Sequence, residues 1–369
     1  MSTQETERVR RSIEVEYWVI DDEGRLVEPG ELVEASAGAE REFVEPLLEI
    51  KTTPCETTAE LRDELFTRVG EVLRRAEDLG KGLVPLGTPV NHDVVRDRPS
   101  DRTRIQDRVV GADFEYVRHC AGTHIHVEQQ PGSEVDQLNT LVALDPALAL
   151  VNSSRYFRGD DLGAGARSKL YRWMAYEGLD HQGRLWPYVD DTDDWTQRLE
   201  RRYTEFVTAA LDAGIDRGTI EANFDPESAV WTPVQLRETF STVEWRSPDT
   251  ALPSQVVRLA DDIAGVVEKL PGRDMRIEGE TGEITDEHIV LPEFDAVSEY
   301  VEAAIRDGLS SDAVRSYLER LGFDVEAYEP VSHEMDHGAV TPAAARRIRL
   351  DHAERLEQDV QKTISIYAD

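Results

Sequence analysis

Arg11-Ser12-Ile13-Glu14-Val15-Glu16-Tyr17-Trp18-Val19-Ile20-Asp21 is the stretch on which the reading of the fold turns. Successive side chains of a strand point to opposite faces, so Glu14 and Glu16 share one face while Ile13, Val15 and Tyr17 share the other. Asp22-Glu23-Gly24 follows with the residues of a tight turn. A strand with paired carboxylates on one side and an apolar opposite side asks for a sheet covered on that second side by helices.

Three further segments repeat the pattern. In Leu47-Leu48-Glu49-Ile50-Lys51, inside a strand expected over Pro46–Thr53, Glu49 and Lys51 share a face. A strand over Thr123–Gln129 carries His124, His126 and Glu128 on one side, and a strand over Thr242–Arg246 carries Glu244 and Arg246. Val84–Pro89 also reads as a strand. Between these lie helical patterns at Thr57–Leu79, Ser133–Val151, Trp195–Ala213 and Ser254–Leu270. The first is the clearest: Thr57 or Thr58 can cap it, and Leu61, Leu65, Val69, Val72, Leu73 and Ala76 form one stripe before Gly80 stops it. From Pro292 onward the chain reads as mostly helical, with Pro342 well placed to open the last long helix. The expectation is an α+β fold, a mixed sheet with helices packed on its apolar face.

Composition narrows the function. The 369 residues include 41 Lys+Arg against 75 Asp+Glu, a net charge of −34. Nucleic-acid phosphates and anionic lipid surfaces repel such a chain, so neither is expected as a partner. Apolar residues recur with clear period, which excludes disorder as the reason for the charge. Only Lys51, Lys81, Lys169, Lys269 and Lys362 are lysines. Abundant carboxylates with few Lys stems resemble proteins that work in concentrated salt, where the self-repulsion is screened. Met1–Arg11 has no apolar signal core, and Leu138–Val151 is interrupted by Asp145 and Pro146 and too short to span a bilayer, so a soluble cytoplasmic protein is expected. Cys55 and Cys120 are too few for a disulfide framework, lack metal-type spacing, and read as structural.

Any one of the four polar faces, taken alone, is better explained as the solvated side of an amphipathic strand. Together they weaken that explanation, because a solvated face usually mixes Lys, Thr, Ser and Gln. If the strands are neighbours, carboxylates and imidazoles converge on one surface. Such oxygens and nitrogens are the donors that Mg²⁺ or Mn²⁺ accepts, and the absence of a thiolate argues against structural zinc. Arg246 beside Glu244 can offset charge on a transferring phosphoryl group. A second region, Asn152-Ser153-Ser154-Arg155-Tyr156-Phe157-Arg158-Gly159 continuing to Gly163, Gly165, Arg167 and Arg172, suits either an anion-binding loop or a surface loop paired with acids. No GxxxxGK[ST], no GxGxxG after a strand and no GxSxG occurs, so P-loop, Rossmann and nucleophile-elbow chemistries are unsupported.

IEVEYWVID, LLEIKTTP, AGTHIHVE, the NSSRYFRGDDLGAGARSKLYR region and STVEWRSPD, in that order from Arg11 to Leu270, resemble the type 2 glutamate–cysteine ligase family. The resemblance implies a glutamine-synthetase-like, mainly antiparallel sheet with a polar concave face and helices on the other. It implies a single catalytic domain over 1–369, with a motif-bearing core at 11–270. By motif, Glu14, Glu16, Glu49, His124 and Glu244 would hold Mg²⁺, with Mn²⁺ an acceptable substitute. Arg246, Glu16 and Glu244 would serve catalysis, and Ser154, Arg155, Arg158 and Arg167 would contact substrate. The chain departs from the pattern at Arg155, where relatives tend to have Pro, and near Ser12, where they commonly have Gly.

The implied reaction is ATP-dependent ligation of the γ-carboxylate of L-glutamate to L-cysteine through a γ-glutamyl phosphate. Ligation of another acid or amine, metal-dependent hydrolysis at the same donors, and a non-catalytic metal-stabilised binding protein remain alternatives. Oligomeric state stays open.

Overall fold

A computed structural model describes residues 8–367 apart from Asp93 and Asp286, so the charged start Met1–Glu7 lies outside the described residues. The chain opens with β1 (Arg11–Asp21), β2 (Ala39–Arg41) and β3 (Leu47–Lys51), followed by α1 (Thr58–Asp78) and β4 (Lys81–Val84). Two helices, α2 (Asp101–Val110) and α3 (Phe114–Arg118), precede β5 (Thr123–Glu128) and α4 (Glu134–Ala143). A small ribbon, β6 (Tyr156–Phe157) with β7 (Asp160–Asp161), leads to the one-turn α5 (Ala166–Lys169). Next come α6 (Thr192–Asp212), α7 (Arg217–Asn223), α8 (Pro226–Ala229), the hairpin β8 (Val234–Arg237) and β9 (Thr242–Trp245), and α9 (Pro253–Val267). The last part holds β10 (Asp274–Ile277), β11 (Glu283–Ile284) and β12 (His288–Leu291) in a three-stranded sheet, then α10 (Phe294–Arg306), α11 (Asp312–Arg320) and α12 (Pro342–Tyr367).

The principal sheet has the order β2-β3-β1-β5-β9-β8, with β4 beside the second half of β1, and every pairing in it is antiparallel. β1 is therefore central, as its two-faced pattern requires. Ile13, Val15 and Tyr17 are fully buried in one apolar cluster with Leu61, Leu65 and Val69 of α1 and Val256, Leu259 and Ile263 of α9. These helices close one face of the sheet and leave the other to the polar residues. Helix α1 begins with a reciprocal cap, in which Thr57 accepts from the Glu60 amide and Glu60 accepts from the Thr57 amide. It ends before Gly80, whose φ of 62° suits a residue without a side chain.

The α+β architecture is the one expected, and the departures are local. The strand expected over Val84–Pro89 lies instead at Lys81–Val84. Beyond Val84 the chain leaves the ladder, and the Leu86 carbonyl accepts from Trp18 Nε1 at 2.9 Å. The helix expected to run from Ser133 to Val151 stops at Ala143, and Asp145–Val151 continues as a 3₁₀ helix. Pro146 has no amide hydrogen and its ring crowds the preceding turn, which is why the α-helix cannot pass through it. Strand β8, helices α2 and α3, and the sheet of β10, β11 and β12, which opens a C-terminal part expected to be mostly helical from residue 271, were not anticipated. No helix among the described residues is long and apolar enough to cross a membrane.

Candidate active site

Register assembles the site. Across the antiparallel ladders Glu14 faces Lys51 of β3 and His124 of β5, while Glu16 faces Glu49. His126 faces Glu244 of β9, which in turn faces Gln235 of β8. Directly opposed residues have Cβ atoms about 5 Å apart, so one-residue accuracy in pairing is what gathers these side chains. All of these but Gln235 line a cleft of about 400 Å³ on the polar face, closed from above by Arg102 and Gln106 of α2, by Trp231, and by Tyr171 after α5. Tyr171 and Trp231 stack with ring centres 4.3 Å apart.

The contacts form a chain of charge. His124 Nδ1 lies 3.3 Å from Glu14 Oε2 and 3.4 Å from Glu244 Oε1. His126 Nε2 lies 3.6 Å from Glu244 Oε1 and is buried with no hydrogen-bond partner, while its Nδ1 bonds Thr242 Oγ1 at 3.0 Å. Arg246 Nη1 is 3.0 Å from Glu244 Oε1, and Arg237 Nη1 donates to Glu244 Oε2 at 2.8 Å. Lys51 Nζ sits 2.8 Å from Glu49 and 3.7 Å from Glu14. The Gly122 amide donates to Glu16 Oε2 at 2.6 Å.

These neighbours divide the carboxylates into two kinds. Burial disfavours the charge on Glu14, but a hydrogen bond from His124 and the electrostatic pull of His124 and His126 outweigh it and hold Glu14 well below the usual carboxylate range. Burial is likewise outweighed at Glu244, where Arg246 leads the opposing effects, and its pKa falls to about 2. Glu16 goes the other way. Burial pushes it up to about 7, against the pull of Arg167. Burial and the charge of Glu16 also push Glu42 up to about 7, and Glu49 is raised by burial and by Glu42. His124 is held down at about 4 by burial and by Arg246, so its ring is neutral near pH 7 and able to bind a cation.

Three overlapping sets of donors have ligand atoms within 4.8 Å of one another: Glu14, His126 and Glu244; Glu14, Glu49 and His124; Glu16, Glu42 and Glu49. Oxygen and imidazole donors without thiolate suit Mg²⁺ or Mn²⁺, and the buried, unpartnered Nε2 of His126 faces this cluster. The raised carboxyls have the same meaning: without a divalent cation, so many acids in one cleft cannot all ionise.

The structure thus brings together Glu14, Glu16, Glu49, His124, Glu244 and Arg246. It does not bring Ser154, Arg155, Arg158 or Arg167 to the cleft wall. Ser154 Oγ is 2.7 Å from Thr88 Oγ1 in the core. Arg155 pairs with Asp161 at 3.1 Å and meets His337, and Arg158 pairs with Glu115. Arg167 is buried at the sheet end against the Tyr171 ring, donating to the carbonyls of Arg246 and Ser247. The physical reason is that partners within the protein, Asp161 for Arg155, Glu115 for Arg158 and the carbonyls of Arg246 and Ser247 for Arg167, hold these arginines away from the cleft. Glu42, Arg102 and Arg237 line the cleft and were missed from the sequence. Only Arg237 had a readable signal, the alternation Val234-Gln235-Leu236-Arg237 followed by a short turn.

A sequence profile of the glutamate-cysteine ligase family 2 (GCS2) matches residues 9–358. A protein of Frankia alni provisionally named glutamate–cysteine ligase 2-1 is 28% identical over 313 residues, covering 82% of this chain and 74% of the relative. A protein of Corynebacterium glutamicum strain R, provisionally named glutamate–cysteine ligase 2, is 26% identical over 275 residues, covering 70% of this chain and 69% of the relative. Among solved structures, the bifunctional glutathione synthetase from Pasteurella multocida superposes with a TM-score of 0.58 at 12% identity. That superposition covers 96% of this chain and 53% of the larger protein, and shows a shared fold. With the profile matched along nearly all of its length, the chain belongs to glutamate-cysteine ligase family 2.

Proposed function

We propose that the protein ligates the γ-carboxylate of L-glutamate to the amine of L-cysteine at the expense of ATP, giving γ-glutamylcysteine, ADP and phosphate. The observation that carries this reading is the continuous run of carboxylate and imidazole donors from His126 to Glu42, flanked by Arg246. A hydrolase activating one water needs fewer donors; a nucleotide triphosphate needs its charge met along several ångströms.

In this reading Glu14, Glu16, Glu49, His124 and Glu244 hold Mg²⁺ or Mn²⁺, which would screen the ATP phosphates and polarise the phosphoryl group. Oxygen of the glutamate carboxylate attacks the γ-phosphorus, the bond to the ADP oxygen breaks, and a γ-glutamyl phosphate results. Activation is needed because a carboxylate is a poor acyl donor, whereas phosphate leaves readily. The cysteine nitrogen then attacks the acyl carbon, phosphate departs, and the amine loses a proton. Arg246 meets the developing phosphoryl charge: Glu244 fixes its Nη1, and its Nε is buried with no protein partner. His124, neutral near pH 7, presents a lone pair rather than a competing positive charge. The Tyr171–Trp231 wall keeps water from one side of the cleft, which protects an acyl phosphate from hydrolysis. The acid-rich, Lys-poor composition supports a working medium of concentrated salt, where the self-repulsion is screened.

The test is incubation of the protein in concentrated KCl with ATP, Mg²⁺, glutamate and cysteine, following phosphate release and product mass, with each component omitted in turn. Release that needs all four, with the mass of γ-glutamylcysteine, is the expected result. A panel of amines in place of cysteine identifies a different second substrate. Folded protein that consumes no ATP with any pairing overturns the reading.

A further inference from the structure

The arginines of the segment between Asn152 and Arg172 have no place on the cleft wall, yet they include some of the most deeply buried charges in the chain. We propose that Arg167, Arg172 and Asp145 are positioning residues that hold the strand end bearing Glu244 and Arg246, a role that rests on the ligase reading of that site. Four consecutive residues show how. Glu244 and Arg246 point into the cleft, and Trp245 and Ser247 point to the opposite side.

Trp245 and Ser247 are gripped by one buried ring of contacts. Trp245 Nε1 donates to Asp145 Oδ1 at 2.9 Å, and Ser247 Oγ donates to the same oxygen. Arg172 Nη1 pairs with Asp145 Oδ2 at 2.8 Å, and Arg172 Nη2 donates to Ser247 Oγ at 2.8 Å. The Asp145 and Arg172 side chains are 0% and 3% exposed, so water does not compete for these bonds. Arg167 grips the backbone of the same strand end. After the Arg246 amide bonds the Pro233 carbonyl the ladder stops, and the next carbonyls need other donors. Arg167 supplies them, with Nη1 donating to Ser247 O at 3.0 Å and Nη2 to Arg246 O at 3.2 Å.

Stability alone is a poor reason for Arg167. It is 2% exposed, makes no ion pair among the described residues, and its Nε has no hydrogen-bond partner. Its charge is met only by the Tyr171 ring and, at longer range, by Glu16 and Asp249, and burying a cation on those terms costs free energy that an apolar side chain would not. Its location gives a different reason. A Cβ on Gly122 would run into its guanidinium, and the Gly122 amide is the group that holds Glu16. Arg167 therefore abuts the peptide that fixes Glu16 and the peptides that fix Arg246, and sets the two at a common spacing. Displacing a catalytic group by about 1 Å costs on the order of 100-fold in rate.

The test is a double-mutant cycle. Arg167→Met is measured in the wild type and in an Arg246→Met background, with melting temperature and near-ultraviolet circular dichroism to verify folding. Acting through Arg246, the substitution lowers kcat by ~100-fold in the wild type with KM for ATP within about threefold, and by less than about threefold once Arg246 is gone. A merely structural residue costs the same factor in both backgrounds, and that result overturns the proposal. Should Arg167→Met not fold, Arg172→Lys, which keeps a cation beside Asp145, takes its place in the same cycle. A wild type that turns over no ATP counts against the ligase reading alone. Mn²⁺ binding by electron paramagnetic resonance then decides: weakening of ~10-fold in the wild type and none in a Glu244→Gln background supports positioning, and unchanged Mn²⁺ binding overturns it.

Discussion

Glu16→Gln removes a charge from the cleft while keeping its shape, and the structure sets the size and the pH dependence of the effect. Without metal, burial raises Glu16 from 4.5 to about 7, whereas in the unfolded chain it ionises at its ordinary value. Between these values the folded protein holds a proton that the unfolded chain has released. Stability therefore falls as pH rises through this window, and the loss is complete above about pH 7. A rise from 4.5 to about 7 is worth on the order of 3 kcal/mol. The amide of the variant can still accept from the Gly122 amide, and it carries no charge at any pH. In chelator near pH 8 the variant is therefore more stable than the wild type by ~3 kcal/mol, and near pH 5 the two are about equal. For 369 residues that amounts to a rise of ~4 °C in melting temperature. Mn²⁺ reverses the order, because the wild type gains a ligand that the variant has lost. The assay is thermal melting in concentrated KCl at the two pH values, with chelator and with Mn²⁺. A variant less stable than the wild type at both pH values in chelator would refute the reasoning, since the carboxyl would then not be a buried group short of a cation.

The other expectations concern neighbouring groups. Gly122→Ala puts a methyl against the Arg167 guanidinium and lowers stability by about 1–3 kcal/mol in denaturant melts, whereas Gly111→Ala, with open space around it but φ of 73°, costs only its backbone strain. Arg246→Lys replaces a fork with a single ammonium that cannot hold Glu244 and a phosphoryl oxygen together, so kcat for ATP-dependent phosphate release falls by ~100–1,000-fold while the melting temperature changes little. On the acid side, Glu14 and Glu244 have lowered folded values, so the stability they contribute is present above about pH 4.5 and is lost as pH falls below it; Glu244→Gln removes part of that acid limb in a pH series of melts.

The parts of the site on strands were legible because a strand's period of two is written in the sequence, as at Glu14 and Glu16 or His124 and His126. Pairing then needed only that these strands be neighbours, which their shared two-faced character already implied. Glu42 could not be found this way: it lies in the loop between β2 and β3, where no period applies, and only the fold brings it to Glu16 and Glu49. Arg102 reaches the cleft from a helix whose orientation over the sheet no local pattern states. The Arg-rich segment shows the opposite failure. Its composition is that of an anion-binding loop, but whether a loop arginine meets a ligand or its own protein is decided by neighbours distant in sequence, such as Asp145 for Arg172 and Ser247 for Arg167. The split of Ser133–Val151 was readable at Pro146, although the apolar run on both sides hid it.

The central place of β1 has a consequence for how the protein comes to exist. The strand made first takes the middle of the sheet, and one of its edges is completed by β5, which waits in turn for β9. At 5–20 residues per second, translation delivers Glu244 roughly 10–45 s after Glu16. During that interval the acids of β1 have Lys51 nearby, gain the imidazoles of β5 only about halfway through, and lack Arg246 until its end. Such distant pairings also make for slow folding. A nascent or truncated chain ending before Arg246 thus presents an unfinished sheet edge, and the last-made strand of the hairpin both closes that edge and brings Glu244, with Arg246 after it, to the cleft.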